Sequence, residues 1–317
     1  MGPSVLNNKS IKKKTIIDKI VRVVLLSLTI LASLIIVFIT LFISIKGLSP
    51  FFKEYVINGT PTRLNVFDFL FGTTYFVSPN KYGIGFVIIN TIYVSIIALI
   101  FAIPLSVLSA LLIVRKAPKP IKNILKTIIE LLSSIPSVIF GMFGKDMITR
   151  FVNSLSLLFN YQSKGGLSTL STSIVLAFMI IPTITLVSIT AIESVKNDQI
   201  YGSLALGASV TETDFKIVLL GAKNGIISAI ILGLGRALGE ATAISMVCGN
   251  AYKGPNFNLF DTTRTLTSSM LQSIHETSGL DYDIRFSIGL VLIIIIIISN
   301  ILLNIVKNKI GKVKKNI

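Results

Sequence analysis

The stretch FVIINTIYVSIIALIFAIPLSVLSALLIV, residues Phe86–Val114, contains no charged side chain. It is longer than the roughly 20 apolar residues that a helix needs to cross a bilayer. Three further stretches share this character, namely Val23–Ile45, Leu167–Ile192 and Phe286–Val306. Long uncharged runs are typical of transmembrane helices. The sequence therefore predicts an all-α membrane protein.

The composition of the chain excludes the other common classes. The 317 residues are 52% hydrophobic and 14% charged, with a mean hydropathy of +0.81. A soluble domain has about 25% charged residues, and disordered chains have few apolar ones. The single cysteine, Cys248, and the single histidine, His275, exclude an internal disulfide and a Cys- or His-rich metal site.

The formal net charge of +16 favours a membrane rather than a nucleic-acid partner. In a polytopic protein, Lys and Arg mark the cytoplasmic flanks of the spans. Both ends of this chain are basic, which predicts that both lie in the cytoplasm of a plasma-membrane protein. The number of spans is then even, and the charge distribution agrees equally well with four or with six.

Two interrupted apolar stretches decide between four and six spans. Ile124–Gly144 contains two charged residues near its start, and Asn224–Val247 contains Arg236 and Glu240. The segment Ile226–Gly235 is almost wholly apolar and unsuited to a solvated loop, which favours six. A helix through the second stretch places four small or polar residues on one face, with a G-x-x-x-G pair for close helix approach. These residues are Ser228, Gly235, Gly239 and Thr242.

The six-span interpretation divides the chain into four parts. Residues 1–22 form a basic cytoplasmic N-terminus, and residues 23–84 form the first span with a long extracytoplasmic loop. Residues 85–306 form a five-helix core that carries a cytoplasmic loop, 193–223. Residues 307–317 form a basic cytoplasmic tail. Pro104, Pro136 and Pro182 are expected inside helices, which membranes tolerate when neighbours satisfy the freed carbonyls.

The cytoplasmic loop 193–223 has the pattern of a short helix–turn–helix. Ile200, Leu204 and Ala208 predict the apolar face of one short helix, and Gly207 supplies a turn. Thr211 followed by Asp214 predicts a capping box at the start of the next helix. Such an element suits docking into a groove on a soluble partner. A structured connecting loop is the alternative.

The same loop resembles the "EAA" loop of ABC importer permeases. Gly207, Ile217 and Leu219 stand at the spacing of that pattern, with Tyr201-Gly-Ser in place of Glu-Ala-Ala and Leu220 in place of a proline. The resemblance implies that this loop couples the permease to a cytoplasmic ATPase. The residues implied in the contact are Ser203, Ala205, Gly207, Ala208, Ile217 and Leu219.

Two other stretches resemble phosphate ABC permeases. The segment SIPSVIFGMFG, 134–144, is similar to a Gly-Ile-Pro-Ser-Val-Val-Tyr-Gly segment of that family. The segment GLGRALGEATAI, 233–244, is similar to the signature of its fifth span, and the continuation SMVCGN resembles the PstC-type subunit. The resemblance covers roughly residues 85–306.

The resemblance implies a six-span permease subunit of a phosphate importer. Its implied partners are a PstA-like permease, two PstB-like ATPases and an extracytoplasmic phosphate-binding protein. ATP and Mg²⁺ belong to the ATPases, so this chain is expected to bind no cofactor and to catalyse no reaction. A permease for molybdate or sulfate and a non-transporting membrane scaffold or sensor are the alternatives.

Four residues are candidates for the substrate pathway. Arg236 and Glu240 share a face at i, i+4 if their helix is continuous, and an unpaired charge within a membrane is costly. They either brace two helices as a salt bridge, or Arg236 binds a phosphate oxyanion and Glu240 holds it when the pathway is empty. Ser137 and Thr242 are candidate hydroxyl donors, with helix packing as their alternative role.

Overall fold

The protein is a bundle of helices with two small hairpins at one end. The computed structural model describes residues 8–57, 60–76, 81–272 and 277–311. The first seven and last six residues, which belong to the two basic ends, lie outside the described residues, as does His275. We call the end with the two hairpins the hairpin end, and the end with loop 193–223 the coupling end.

The helices and strands follow one another in this order. They are α1 Asn8–Phe52, β1 Tyr55–Ile57, β2 Thr60–Thr62, α2 Val66–Phe71, β3 Tyr75–Phe76, β4 Lys81–Tyr82, α3 Gly85–Leu111, α4 Lys119–Ser134, α5 Ser137–Phe143, α6 Thr149–Leu158, α7 Thr169–Glu193, α8 Asn197–Ala205, α9 Val210–Thr213, α10 Leu219–Gly239, α11 Thr242–Val247, α12 Leu266–Leu271 and α13 Leu280–Gly311. Three π-helical turns, Leu112–Lys116, Gly144–Ile148 and Asp214–Val218, extend or join these helices. Strands β1 and β2 pair antiparallel, as do β3 and β4.

The prediction of a six-span helical bundle is confirmed. Within the described residues, five helical segments are long and apolar enough to cross a membrane, and the number is six when a bent pair of helices is taken as one span. The five segments are Ile17–Phe52, Gly85–Lys116, Thr169–Glu193, Val210–Gly239 and Leu280–Lys309. Pro104 and Pro182 lie inside their helices as predicted.

The third span is not the continuous helix that the sequence predicts. It bends by 91° between Lys119–Ser134 and Ser137–Leu158. Pro136 lies at the break rather than inside a helix, and Ile135 has an extended ψ of 128°. A proline removes one backbone donor and disfavours helical geometry in the residue before it, which explains the break. The expected loop 145–166 is helical as far as Leu158.

The predicted fifth span is also divided. Helix α10 continues from α9 through a π-helical turn and ends at Gly239, and α11 begins at Thr242. Glu240 has the extended angles φ −74° and ψ 122°. Its carboxylate accepts a hydrogen bond from the backbone N–H of Ala243, and its carbonyl accepts one from Thr267. These contacts stabilise the break and begin the new helix.

Helix α7 is the centre of the bundle, with α3 and α10 packed against it. Leu176, Ile180 and Ile184 are fully buried within the cluster that joins the three helices. Two glycines of α10 allow the close approach. A Cβ added at Gly225 would lie 2.4 Å from the Cβ of Ala191, and a Cβ added at Gly233 would lie 2.7 Å from the Ile184 side chain.

Gly235 and Gly239 do not pack against another helix of the described chain. A Cβ at either position would meet no atom within 4 Å. Thr242 lies beyond the break in α11, so the four-residue face of a continuous helix does not exist. The predicted face required one continuous helix, whereas the chain forms two helices, α10 and α11, in this segment.

Helix α1 stands apart from the central bundle. It packs along α13, where Gly47 lies against the backbone of Phe286 and Lys46 forms a 3.1 Å ion pair with Asp283. Its residues 18–42 are exposed, and most of them are apolar. Such a surface is stable only in contact with lipid or another membrane chain.

Candidate functional site

A cavity of about 630 Å³ lies between α7, α10 and α13. Its walls combine one cation with neutral polar and aliphatic side chains. The lining residues are Thr183, Ser228, Ile231, Leu232, Gly235, Arg236, Asn300 and Asn304. Arg236 is thus the only charged group in the lining. Such a cavity suits a small anion better than a cation or an apolar molecule.

Arg236 is oriented by one neutral hydroxyl. Its Nη1 donates a 2.6 Å hydrogen bond to Oγ1 of Thr183, which lies near the middle of α7. No carboxylate lies within ion-pair distance of Arg236 in the part of the chain that the structure describes. Most of the guanidinium donors therefore remain available to a ligand.

Glu240 does not share a helix face with Arg236, and this prediction is wrong. The helix ends between the two residues, and the Glu240 carboxylate accepts the Ala243 N–H at 3.1 Å instead. The expected salt-bridge geometry is absent from the described structure. The sequence could not show the break, because neither Gly239 nor Glu240 is incompatible with a helix.

Ser137 and Thr242 do not line the Arg236 cavity. Ser137 is the first residue of α5, and Thr242 is the first residue of α11. The two short helices pack against each other, and a Cβ at Gly141 would lie 2.9 Å from the Cα of Ala243. Both hydroxyls remain candidates for a different part of the pathway.

Loop 193–223 forms the predicted helix–turn–helix. Helix α8 ends in a Schellman motif, in which the N–H groups of Gly207 and Ala208 donate to the carbonyls of Leu204 and Ser203. Gly207 has φ +87°, so the turn requires the left-handed conformation that glycine adopts without strain. The capping box is Ser209 with Glu212, and the predicted Thr211–Asp214 box is wrong by two residues.

The predicted coupling residues occupy different surroundings. Ala205 and Gly207 are exposed, and Ser203, Ala208, Ile217 and Leu219 are half-buried. The Ser203 hydroxyl lies 3.0 Å from that of Thr213, which ties α8 to α9. Ile200 faces inward, in a buried cluster with Ile189 and Val218.

The sequence did not single out the large apolar side chains that this element exposes. Leu206 at the turn is 91% exposed, and Tyr201, Val210 and Phe215 are also exposed. All four side chains belong to the element predicted to dock a soluble partner, and Leu206 directly precedes Gly207. Their apolar character in a polar loop could have indicated a docking surface. The apolar face that the sequence did predict contains Ile200, which faces the bundle.

A buried carboxylate with two cationic partners fixes the helix–turn–helix to the bundle, and no sequence pattern predicted this contact. Asp214, with a side chain 1% exposed, contacts Arg115 at 2.7 Å and Lys116 at 3.0 Å. The two cations end the π-helical turn after α3, about a hundred positions earlier in the chain. The pair therefore connects the start of the α9–α10 span to the coupling end of α3.

Two buried arginines lie at the hairpin end. The Arg264 guanidinium lies 4.3 Å from the centre of the Tyr75 ring, and it donates to Ser269 and Gln272. Burial lowers the pKa of Arg264 below its ordinary value. Arg285 donates to the carbonyls of Met270 and Gln272. Both arginines thus hold α12 and its flanking segments in place.

Three curated proteins similar to this chain are membrane transport components. YqgH of Bacillus subtilis (strain 168), named as an ABC transporter permease protein, is 34% identical over 81% of this chain and 80% of its own length. The phosphate transport system permease protein PstC of Pasteurella multocida is 32% identical over 78% of this chain and 82% of its own. PstC 1 of Mycobacterium tuberculosis is 31% identical over 69% of this chain and 70% of its own length.

The fold has close counterparts among solved structures. A chain of a bacterial alginate ABC transporter, solved with an alginate-bound periplasmic protein, matches 93% of this chain and 98% of its own with a TM-score of 0.63 and 19% identity. A second alginate importer structure has the same TM-score at 20% identity. These likenesses establish the fold as that of an ABC importer permease.

A family model confirms this assignment over most of the chain. The model of the binding-protein-dependent transport system inner membrane component matches residues 102–312. This range includes the helix–turn–helix, the Arg236 cavity and α13. The chain therefore belongs to the family of binding-protein-dependent transport system inner membrane components, as a multi-pass permease.

Proposed function

We propose that this chain is the permease subunit of an ATP-driven importer of inorganic phosphate and that Arg236 is its anion contact. The observation that carries the proposal is the cavity of about 630 Å³ in which Arg236 is the only charged lining residue. The relatives named as phosphate permeases support the choice of anion.

The physical argument rests on the cost of a lone charge. An unpaired arginine within a membrane costs several kcal/mol unless it meets water or a counter-charge. Thr183 supplies only a neutral hydroxyl to Arg236. The planar donors of a guanidinium match phosphate oxygens, so a passing phosphate relieves this cost. A single cation also permits release, which a conduit requires.

The proposed complex contains three kinds of partner. A PstA-like permease completes the pathway, an extracytoplasmic phosphate-binding protein delivers the anion, and a PstB-like ATPase dimer uses ATP and Mg²⁺ in the cytoplasm. The exposed surface of Tyr201, Leu206, Val210 and Phe215 supports ATPase docking at the helix–turn–helix. This chain itself binds no cofactor and performs no catalysis.

This assignment places both chain termini and the coupling end in the cytoplasm. A cysteine replacing the half-buried Ser203 should react with an impermeant thiol reagent in inside-out vesicles and not in intact cells. A cysteine replacing the exposed Lys53, at the hairpin end, should show the reverse. Labelling of Ser203→Cys from outside intact cells would contradict the orientation.

Anion competition tests the substrate. The complete complex, reconstituted with its binding protein and internal ATP, should accumulate labelled phosphate. Excess unlabelled phosphate should suppress the accumulation of label, whereas sulfate or molybdate at the same concentration should not. Suppression by sulfate or molybdate alone would reassign the substrate to that oxyanion. A scaffold or sensor predicts neither uptake nor stimulation of the partner ATPase.

A further inference from the structure

Two asparagines of α13 line the same cavity as Arg236. Asn300 and Asn304 are one helical turn apart, and both contribute to its wall. Asn300 is half-buried and Asn304 is exposed. They interrupt an otherwise apolar stretch in which residues 293–298 are all isoleucine. Two amides in such an apolar stretch indicate a polar site, although they do not change the hydrophobic periodicity of the helix.

The two amides are unused in the part of the chain that the structure describes. Neither side chain has a hydrogen bond in the described structure, although many hydroxyls of the spans bond to their own helix backbone. An amide facing hydrocarbon without a partner is unfavourable, because water or another polar group must replace its lost hydrogen bonds. The asparagine face of α13 is therefore suited to water or a polar solute.

The cavity walls formed by α10 and α13 both extend toward the coupling end. Helix α10 runs from the helix–turn–helix toward Arg236, and Ser228 lies about 12 Å before Arg236 at 1.5 Å per residue. Helix α13 runs the opposite way, and Asn304 lies about 6 Å beyond Asn300. Ser228 and the two amides thus extend the polar wall toward the coupling end.

We infer that Asn300 and Asn304 form a neutral amide relay that carries a tetrahedral oxyanion from Arg236 to the cytoplasmic exit. The inference rests on the proposed function, since it takes Arg236 as the anion contact. Each amide offers two N–H donors to an oxyanion and adds no charge. The Ser228 hydroxyl already donates to Asn224, so the amides are the donors of this wall.

The neutrality of the relay has a physical reason. A second arginine or lysine would add a charge–charge attraction to its hydrogen bonds and would hold the anion more firmly than a neutral amide does. Neutral amides instead replace part of its hydration shell while letting it leave. Binding that is weak and spread over several sites is what conduction requires.

Cysteine accessibility tests the position of the relay. Asn300→Cys and Asn304→Cys are made in the full complex, with Ile301→Cys and Ile305→Cys as matched neighbours outside the cavity. The native thiol, Cys248, is buried, so the unmodified complex gives the background. We expect an impermeant thiol reagent to label both asparagine positions from the cytoplasmic side, and neither isoleucine position.

Anions separate the relay from the proposed substrate. Phosphate should slow labelling at positions 300 and 304 several-fold, and chloride should not. Slowing by sulfate or molybdate instead of phosphate would support the relay and contradict the proposed substrate. Absent labelling at both positions, or labelling that no oxyanion slows, would overturn the relay whatever the substrate is.

Charge substitution gives a second readout in complexes that assemble. Asn300→Asp with Asn304→Asp should reduce maximal uptake by tenfold or more, because two carboxylates repel the anion. Asn300→Leu with Asn304→Leu should reduce it less, and Ile301→Leu should leave it unchanged. Normal uptake by the double-aspartate complex would contradict the relay.

Discussion

At the scale of the residue, the contact between Arg236 and Thr183 is open to a direct test. Thr183→Val removes the hydroxyl that orients the guanidinium. We expect uptake to fall about tenfold, equivalent to about 1.4 kcal/mol, near the lower bound for a hydrogen bond to a charged group. Thr190→Val is the matched control on α7, because the Thr190 hydroxyl bonds only to its own helix at Leu186. Equal uptake by the two variants would contradict the orienting role.

Glu240 is predicted to act through the helix break rather than through Arg236. Glu240→Ala removes the acceptor for the Ala243 N–H, and we expect a loss of about 1 kcal/mol in stability, as for other side chains that accept from the first N–H groups of a helix. Glu240→Gln keeps an oxygen acceptor and should assemble normally. Thermal stability of the purified complex measures both. If the charge-swapped protein, Arg236→Glu with Glu240→Arg, recovers full uptake, both assignments are wrong.

At the scale of the element, the turn at Gly207 should control coupling. A β-branched residue at φ +87° costs about 1–2 kcal/mol, although the space beside Gly207 is open. Gly207→Val should therefore distort the turn and uncouple ATP hydrolysis from uptake while membrane insertion continues. Gly207→Asn tolerates this conformation and should retain coupling, as should Gly202→Ala in α8. The ratio of ATP hydrolysed to phosphate transported is the measurement.

The Asp214 ion pair should matter more than a surface pair on the same element. Asp214→Ala leaves two cations without their partner, and we expect a loss of about 2 kcal/mol, since Arg115 and Lys116 are partly solvated. Lys216→Ala breaks the exposed pair with Glu212 and should leave the unfolding temperature close to that of the wild type, because water screens an exposed pair. Comparable thermal unfolding of both variants would contradict a structural role for Asp214.

The sequence predicted the membrane-spanning helices better than the breaks within them. Uncharged runs identified the spans because burial in lipid acts on every residue of a segment. The breaks at Ile135 and Glu240 depend on single peptide units: one follows from Pro136, and the other is stabilised by tertiary contacts with Thr267. The helical-wheel comparison of Arg236 with Glu240 failed for this reason.

At the scale of the whole molecule, long-range contacts separate what the sequence could and could not predict. Arg236 stood out as a charge in an apolar segment, but its partner Thr183 lies 53 positions away on another helix. Asp214 likewise pairs with residues 99 and 98 positions earlier. Only packing of α7 against α3 and α10 brings such residues together. Motif similarity anticipated the family without supplying this geometry.

The exposed length of α1 and the open Arg236 cavity are two surfaces that the described chain does not cover itself. Residues 18–42 of α1 are exposed, and the cavity contains an arginine without a carboxylate. Lipid covers the apolar surface of α1, whereas an unpaired arginine is unfavourable for an isolated chain in a bilayer. A second permease and a passing anion would relieve the exposed charge, which places the proposed function in the assembled transporter.

The most direct measurement compares ATP-driven phosphate accumulation by the wild-type complex and by Arg236→Gln in proteoliposomes containing equal amounts of assembled complex. The glutamine keeps polarity and a similar size but removes the charge in the cavity. We predict rapid accumulation by the wild type and uptake near background for Arg236→Gln, with ATP binding by the partner subunits unchanged. Uptake by Arg236→Gln at the wild-type rate would contradict the assignment of Arg236 as the anion contact.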